Sequence, residues 1–107
     1  MRSLCIDLTA LSDADLPLVG GKARALGRLA DTGLPVPPGI CLTTFAYAQY
    51  LDATGLRQRL PLLLERKPFQ EMRWEELWDL GLRIRSLFLN TPLPAELAAE
   101  IIAALPP

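Results

Sequence analysis

Residues 19–33 read Val-Gly-Gly-Lys-Ala-Arg-Ala-Leu-Gly-Arg-Leu-Ala-Asp-Thr-Gly. Within this stretch the apolar residues recur with the spacing of an α-helix, at Ala23, Leu26, Leu29 and Ala30. Gly33 stands where helices commonly end in a left-handed turn. The pattern predicts a helix of about three turns that begins directly at a glycine pair.

The residues on either side of this helix predict two short strands. Residues 4–8 form an apolar, partly β-branched run, and the Ser-Asp-Ala-Asp cluster at 12–15 is typical of a loop. Residues 34–39 contain three prolines, which exclude a helix and a central strand, so we expect an extended connector there. Residues 40–43 then predict a second strand, and Thr44 predicts the cap of a helix over 45–54 that Gly55 closes.

From Leu56 onward the pattern is helical. Leu56, Leu60, Leu63 and Leu64 share one stripe, which Pro61 is expected to bend and Pro68 to end. The strongest amphipathic signal places six residues on one predicted core face: Trp74, Leu77, Trp78, Gly81, Ile84 and Phe88. Pro94 is expected to begin a last helix. The sequence therefore predicts a small α+β domain, mostly helical, with two or three short strands and about five helices.

Composition narrows the classes of function. The 107 residues fit one domain, and a net charge of −1 gives no global field to attract nucleic acid or an anionic membrane. The chain has no histidine, which removes histidine-based catalysis. Neither a signal peptide nor a membrane span is indicated, and Cys5 and Cys41 lie in apolar runs that suit reduced thiols better than a disulfide. We expect a cytoplasmic protein without a nucleic-acid or membrane partner.

The Gly20-Gly21-Lys22 turn is the candidate binding site. Unpaired backbone amides and the positive end of a helix dipole meet at such a turn and favour an anion. Lys22 adds a mobile positive charge, and Arg24 and Arg28 lie on one face of the same helix. The turn is not a full Walker motif, since Ala23 stands where that motif needs serine or threonine, and a flexible turn with a solvent-exposed lysine is the alternative.

A longer pattern favours the phosphate-binding interpretation. Residues 16–29 and 33–39, then 42–47, 84–87 and 91–97, resemble the start of the ATP-binding domain shared by pyruvate phosphate dikinase, phosphoenolpyruvate synthase and rifampicin phosphotransferase. The resemblance implies an ATP-grasp-like nucleotide site closed by two subdomains, of which this chain supplies the first. It implies that Lys22 contacts the ATP phosphates and that Gly20 and Gly21 shape the loop.

The same resemblance implies a larger enzyme. In that family a phosphoryl group passes from ATP to a histidine on a mobile domain, and then to pyruvate, water or an antibiotic hydroxyl. The histidine domain, the second ATP-binding subdomain, an arginine-serine-serine clamp and the residues that hold Mg²⁺ and adenine are all expected outside this chain. We therefore expect no catalytic or metal-binding residue in residues 1–107, and a piece that is inactive alone and binds ATP weakly or not at all.

Residues 1–55 are expected to form the phosphate-binding part and residues 56–107 a helical part. Two other functions stay open: a non-catalytic binding or regulatory module that retains the scaffold, and a helical interaction domain that uses the surface from Trp74 to Leu105. Asp13 and Asp15 are interpreted as a solvated turn rather than a metal pair, and Tyr47 and Tyr50 as packing residues.

Overall fold

Two strands and five α-helices make up the fold of residues 3–107. The computed structural model describes residues 3–107. Met1 and Arg2 lie outside the described residues, although the prediction that no signal peptide is present also rests on them. The strands are β1 (Cys5–Asp7) and β2 (Ile40–Leu42), and the helices are α1 (Gly21–Asp31), α2 (Thr44–Thr54), α3 (Leu56–Leu64), α4 (Trp74–Leu89) and α5 (Ala95–Ala104). The predicted α+β class, its two strands and its five helices are confirmed.

The chain divides into two compact units. The first unit comprises the described residues up to Gln49 together with Ala95–Pro107, and the second unit comprises Tyr50–Pro94. The functional division at residue 55 stays a prediction. No helix within residues 3–107 is both long enough and apolar enough to cross a lipid bilayer.

The strands of the first unit pair in antiparallel fashion. Cys5 lies opposite Leu42, and Ile6 lies opposite Cys41. Because side chains alternate between the two faces of a strand, this register directs the two cysteine side chains to opposite faces of the ribbon. Both thiols are free, and the register explains why a disulfide between them is not formed.

Helix α1 packs against the 3₁₀ turn that follows β1, Leu8–Ala10. Gly27 is buried at this contact, where an added Cβ would lie 3.3 Å from the Leu11 Cδ1 atom. The helix ends as its sequence predicts, with Gly33 at a φ of 85°. The loop predicted over 12–15 is wrong in part, because Asp13–Leu18 forms a 3₁₀ helix.

Helix α2 is capped one residue earlier than its sequence predicts. The backbone amide of Ala46 donates to Thr43 Oγ1 at 3.4 Å, whereas Thr44 is already the first helical residue. The Thr43 hydroxyl donates in turn to the carbonyl oxygen of Ser3 at 2.7 Å. Thr43 is therefore buried because it joins the segment before β1 to the start of α2.

Thr43→Val is expected to lower the free energy of unfolding by about 1 kcal/mol, since it removes the hydroxyl that bonds the Ser3 carbonyl oxygen at nearly constant volume. Urea denaturation followed by circular dichroism measures the change. Thr44→Val alters the exposed neighbouring residue and is expected to stay within about 0.5 kcal/mol of the parent. Equal effects at the two positions would show that the buried hydroxyl is not what stabilises this corner.

The second unit is built from the end of α2, α3 and α4. The Tyr50 ring stacks on Phe88 with centroids 6.2 Å apart, and its hydroxyl donates to the carbonyl oxygen of Thr91 at 2.7 Å. Leu56 follows Gly55 and is fully buried. Pro61 lies within a continuous α3, which ends at Leu64, before Pro68.

The predicted core positions of Trp74 and Trp78 are wrong. Their side chains are 69% and 66% exposed, whereas Ile84 and Phe88 of the same predicted face are partly buried. At about 100° per residue, the two indoles project from a different side of α4 than Ile84 does. The apolar pattern of α4 covers more than one side of the helix, and only one side is used inside the unit.

Candidate functional site

The candidate site is the beginning of α1. Gly20 is the residue before the helix, with extended backbone angles of φ −83° and ψ 171°, and its carbonyl accepts from the Arg24 amide at 3.1 Å. No side chain caps this end. Within residues 3–107, the amides of Gly21, Lys22 and Ala23 have no hydrogen-bond acceptor. Three donors at the positive end of the helix dipole are thus available to an anion.

The Gly20 amide, unlike the three amides that follow it, lies next to a side chain, the Cys41 thiol. Burial raises the pKa of the Cys41 thiol, and a hydrogen bond from the Gly20 backbone amide lowers it in opposition. The sulfur therefore lies next to this amide, so that strand β2 adjoins the turn that precedes α1. The amides at this turn that lack an acceptor within residues 3–107 are those of Gly21, Lys22 and Ala23.

The fold itself does not require glycine at either position of the turn. A Cβ added at Gly20 or Gly21 would meet no atom within 4 Å, and neither residue has a positive φ. Gly33, by contrast, has the left-handed backbone that disfavours other residues. The open space in front of Gly20 and Gly21 is consistent with a ligand that approaches the backbone closely.

The positive charges of α1 have no ion-pair partner among residues 3–107. Lys22, Arg24 and Arg28 are exposed, and none of them forms an ion pair with a residue in the described part of the chain. The ion pairs that are present lie in the second unit: Arg57–Asp52, Lys67–Glu76, Arg73–Glu76 and Arg83–Asp79. Lys22 is therefore free to reach a ligand.

The nearby carboxylates have a structural role. One Asp15 carboxylate oxygen accepts from the Ser12 amide at 3.0 Å and from the Ser12 hydroxyl at 3.1 Å. Among residues 3–107 there is no group of three or more histidine, cysteine, aspartate or glutamate side chains arranged to hold a metal ion.

Sequence reasoning found the turn and missed two of its features. The side chain of Ala23 only marks a departure from the Walker motif, yet its amide is one of the three free donors. Helix geometry supplies the missing signal, because the first amides of any helix lack internal acceptors. The hydrogen bond to Cys41 has no sequence signal, since it depends on how β2 is placed.

Comparison with known proteins extends these observations. Residues 16–106 match the family model described as pyruvate phosphate dikinase, AMP/ATP-binding domain. Phosphoenolpyruvate synthase from Aeropyrum pernix is 39% identical over 103 residues, which cover 96% of this chain and 12% of that protein.

Two further relatives agree. The probable phosphoenolpyruvate synthase of Staphylothermus marinus is 34% identical over 88% of this chain and 11% of its own length. The phosphoenolpyruvate synthase of Neisseria meningitidis serogroup B is 37% identical over 84% of this chain and 12% of its own length. The chain thus spans 11–12% of the length of these relatives. With most of its residues matched by the family model, the chain belongs to the pyruvate phosphate dikinase AMP/ATP-binding domain family.

Proposed function

We propose that this chain is the ATP-binding lobe of an ATP-dependent phosphotransferase of the phosphoenolpyruvate synthase or pyruvate phosphate dikinase type, and that the Gly20-Gly21-Lys22 turn holds the phosphates of ATP. The observation that carries the proposal is the start of α1, where free amides and an unpaired lysine lie inside the segment matched by the ATP-binding family model.

The proposed interaction follows from the chemistry of the turn. Phosphate oxygens accept from the amides of Gly21, Lys22 and Ala23, and the helix dipole adds to the attraction. The absence of side chains at Gly20 and Gly21 lets the phosphates approach the backbone. The Lys22 ammonium is a point charge on a flexible stem, which suits a chain of phosphates.

The remaining machinery belongs to other parts of the proposed enzyme. We infer that this lobe is the first subdomain of an ATP-grasp-like site, completed by a second subdomain, and that a separate domain carries the histidine that receives the phosphoryl group. Bound Mg²⁺ would neutralise phosphate charge through ligands outside this chain. The complete protein is proposed to act in the cytoplasm, and this lobe alone is proposed to be inactive.

Titration of the ¹⁵N-labelled chain with ATP and with inorganic tripolyphosphate tests the binding mode. We expect amide chemical-shift changes concentrated at residues 21–23, with a dissociation constant in the millimolar range, or about −4 kcal/mol, because one turn supplies only part of a nucleotide site. Similar shifts with both ligands would show that the phosphates are the recognised group.

Lys22→Ala is expected to weaken this binding at least about fivefold, since it removes the one side-chain charge assigned to the phosphates. Arg66→Ala is the matched control, because it removes the same formal charge from an exposed residue of the second unit. Shifts that spread over all basic residues, or equal binding by Lys22→Ala and Arg66→Ala, would contradict the proposal.

Gly21→Ala is expected to separate stability from binding. Alanine favours the helical conformation and meets no atom within 4 Å at this position, so the free energy of unfolding should rise by up to about 1 kcal/mol. The added methyl group faces the space assigned to phosphate, so affinity for tripolyphosphate should fall severalfold in the same titration.

Gly81→Ala provides the control for that variant, because Gly81 is also an exposed helical glycine with open space around its Cα atom. It should gain similar stability and keep phosphate affinity. If Gly21→Ala also keeps its affinity, the close approach of phosphate to this backbone is wrong.

A further inference from the structure

Helix α4 carries a second apolar surface that its own unit does not cover. Trp74, Trp78, Leu82 and Leu89 are each more than half exposed, and Arg85 lies among them. These five residues, called the α4 stripe, fall within about 80° of the helix circumference at 100° per residue. The stripe is a continuous exposed strip along the whole helix.

The α4 stripe is not needed for packing inside the second unit. The partly buried residues of α4 lie outside the stripe, and all but Phe88 lie on the other side of the helix: Glu76, Leu80, Ile84, Leu87 and Phe88. Two indoles and two leucines left in water cost free energy that burial would recover. An apolar patch of this kind, bordered by charges, is typical of a protein–protein interface.

The charged residues in and beside the stripe indicate which kind of surface can pack against it. Arg85 lies within the stripe, and Glu75 lies at its edge. Neither forms an ion pair with another residue in the part of the chain that the structure describes. They are ten positions apart, which is about 15 Å along a helix. Asp79 and Arg83, by contrast, already pair with each other at 2.7 Å.

We propose that the α4 stripe packs against the α4 stripe of a second copy of this chain, with the two helices antiparallel. Reversal of direction brings the Glu75 end of one helix to the Arg85 end of the other, and two-fold symmetry forms this opposite-charge contact twice. A parallel pair would place like charges together. The stripe is therefore complementary to itself in one orientation only.

Two features of the stripe support this packing. Arg85 lies near the level of Trp74 in the reversed helix, where a guanidinium group stacks favourably on an indole ring. Gly81 lies beside the stripe, is exposed and has no atom within 4 Å of an added Cβ. A residue without a side chain at mid-helix lets two helices approach each other closely.

The expected association is weak. With about 150–250 Å² buried per tryptophan, the stripe covers roughly 500 Å² per copy, at the low end for a specific interface. Interfaces at this end of the size range are commonly transient, and we expect a dissociation constant on the order of micromolar or weaker. The dimer should therefore dissociate on dilution within an accessible concentration range.

Sedimentation velocity of the 107-residue chain from about 1 to 300 µM tests the proposal, since this range spans a micromolar constant. We expect a monomer at the lower end and a dimer at the upper end. Trp74 and Trp78 are the two tryptophans of the chain, so a blue shift of the indole emission with concentration reports the stripe alone. A chain that stays monomeric throughout would overturn the proposal.

Trp78→Ser is expected to weaken dimerisation at least tenfold, whereas Leu62→Ser should leave it unchanged, because Leu62 is 70% exposed on α3 and lies outside the stripe. Glu75→Arg and Arg85→Glu should each weaken the dimer, and the double variant should restore it. Restoration supports the antiparallel arrangement. A dimer that persists in Trp78→Ser, or single charge variants without effect, would overturn it.

Discussion

Lys22→Ala is expected to abolish ATP-dependent phosphorylation in the complete phosphotransferase, with kcat/KM falling by about 100-fold to 1,000-fold or more. The reason is that phosphoryl transfer depends on cations that neutralise the migrating charge, and Lys22 is the side chain that this lobe is proposed to supply. Formation of the phosphorylated enzyme from ATP, followed by intact-protein mass spectrometry, measures the effect.

The same variant should remain folded. Lys22 is exposed and makes no ion pair with residues 3–107, so the melting temperature should change by no more than about 1 °C. Arg66→Ala again serves as the charge-matched control and should keep its activity. An active Lys22→Ala enzyme would refute the assigned role of this lysine, whereas an unfolded one would show that the lysine is structural.

Leu56→Ala is expected to have the largest effect on stability. Leu56 is fully buried, and its truncation removes apolar contacts and leaves a cavity, which costs about 2–5 kcal/mol. For a domain of this size, that loss consumes a large part of the total stability. Chemical denaturation at several temperatures measures the change in the free energy of unfolding.

Leu62→Ala is the matched control for this experiment, since it makes the same chemical change in the same helix at a residue that is 70% exposed. Its effect should stay within about 0.5 kcal/mol. Similar losses at both positions would mean that Leu56 does not anchor the second unit.

Local patterns predicted much of the fold. Helix α1 follows from its apolar spacing and its terminal Gly33, and the turn at Gly55 follows from a glycine with positive φ. The predictions that were wrong concern residues whose partners are distant in the sequence. Thr43 rather than Thr44 caps α2 because the Thr43 hydroxyl also bonds the Ser3 carbonyl, and sequence spacing carries no trace of that contact.

The candidate site was predictable to the same degree. A glycine pair, a lysine and a helix start are adjacent in sequence, so their proximity needs no tertiary information. The engagement of the Gly20 amide by Cys41 joins residues from separate elements. The exposure of Trp74 and Trp78 likewise depends on which side of α4 the unit buries, because the apolar pattern of that helix permits two choices.

The first unit is assembled from two separate stretches of chain, because α5 belongs with β1, β2 and α1 although the whole second unit is synthesised between them. During translation, Leu97, which is almost fully buried, leaves the ribosome only after the second unit has been made. The first unit, which carries the proposed phosphate-binding turn, is therefore completed late in synthesis. A nascent chain that ends before α5 would carry the glycine-lysine turn in an incompletely folded first unit. We therefore expect chaperones to bind the first unit, rather than the second one, while it is incomplete.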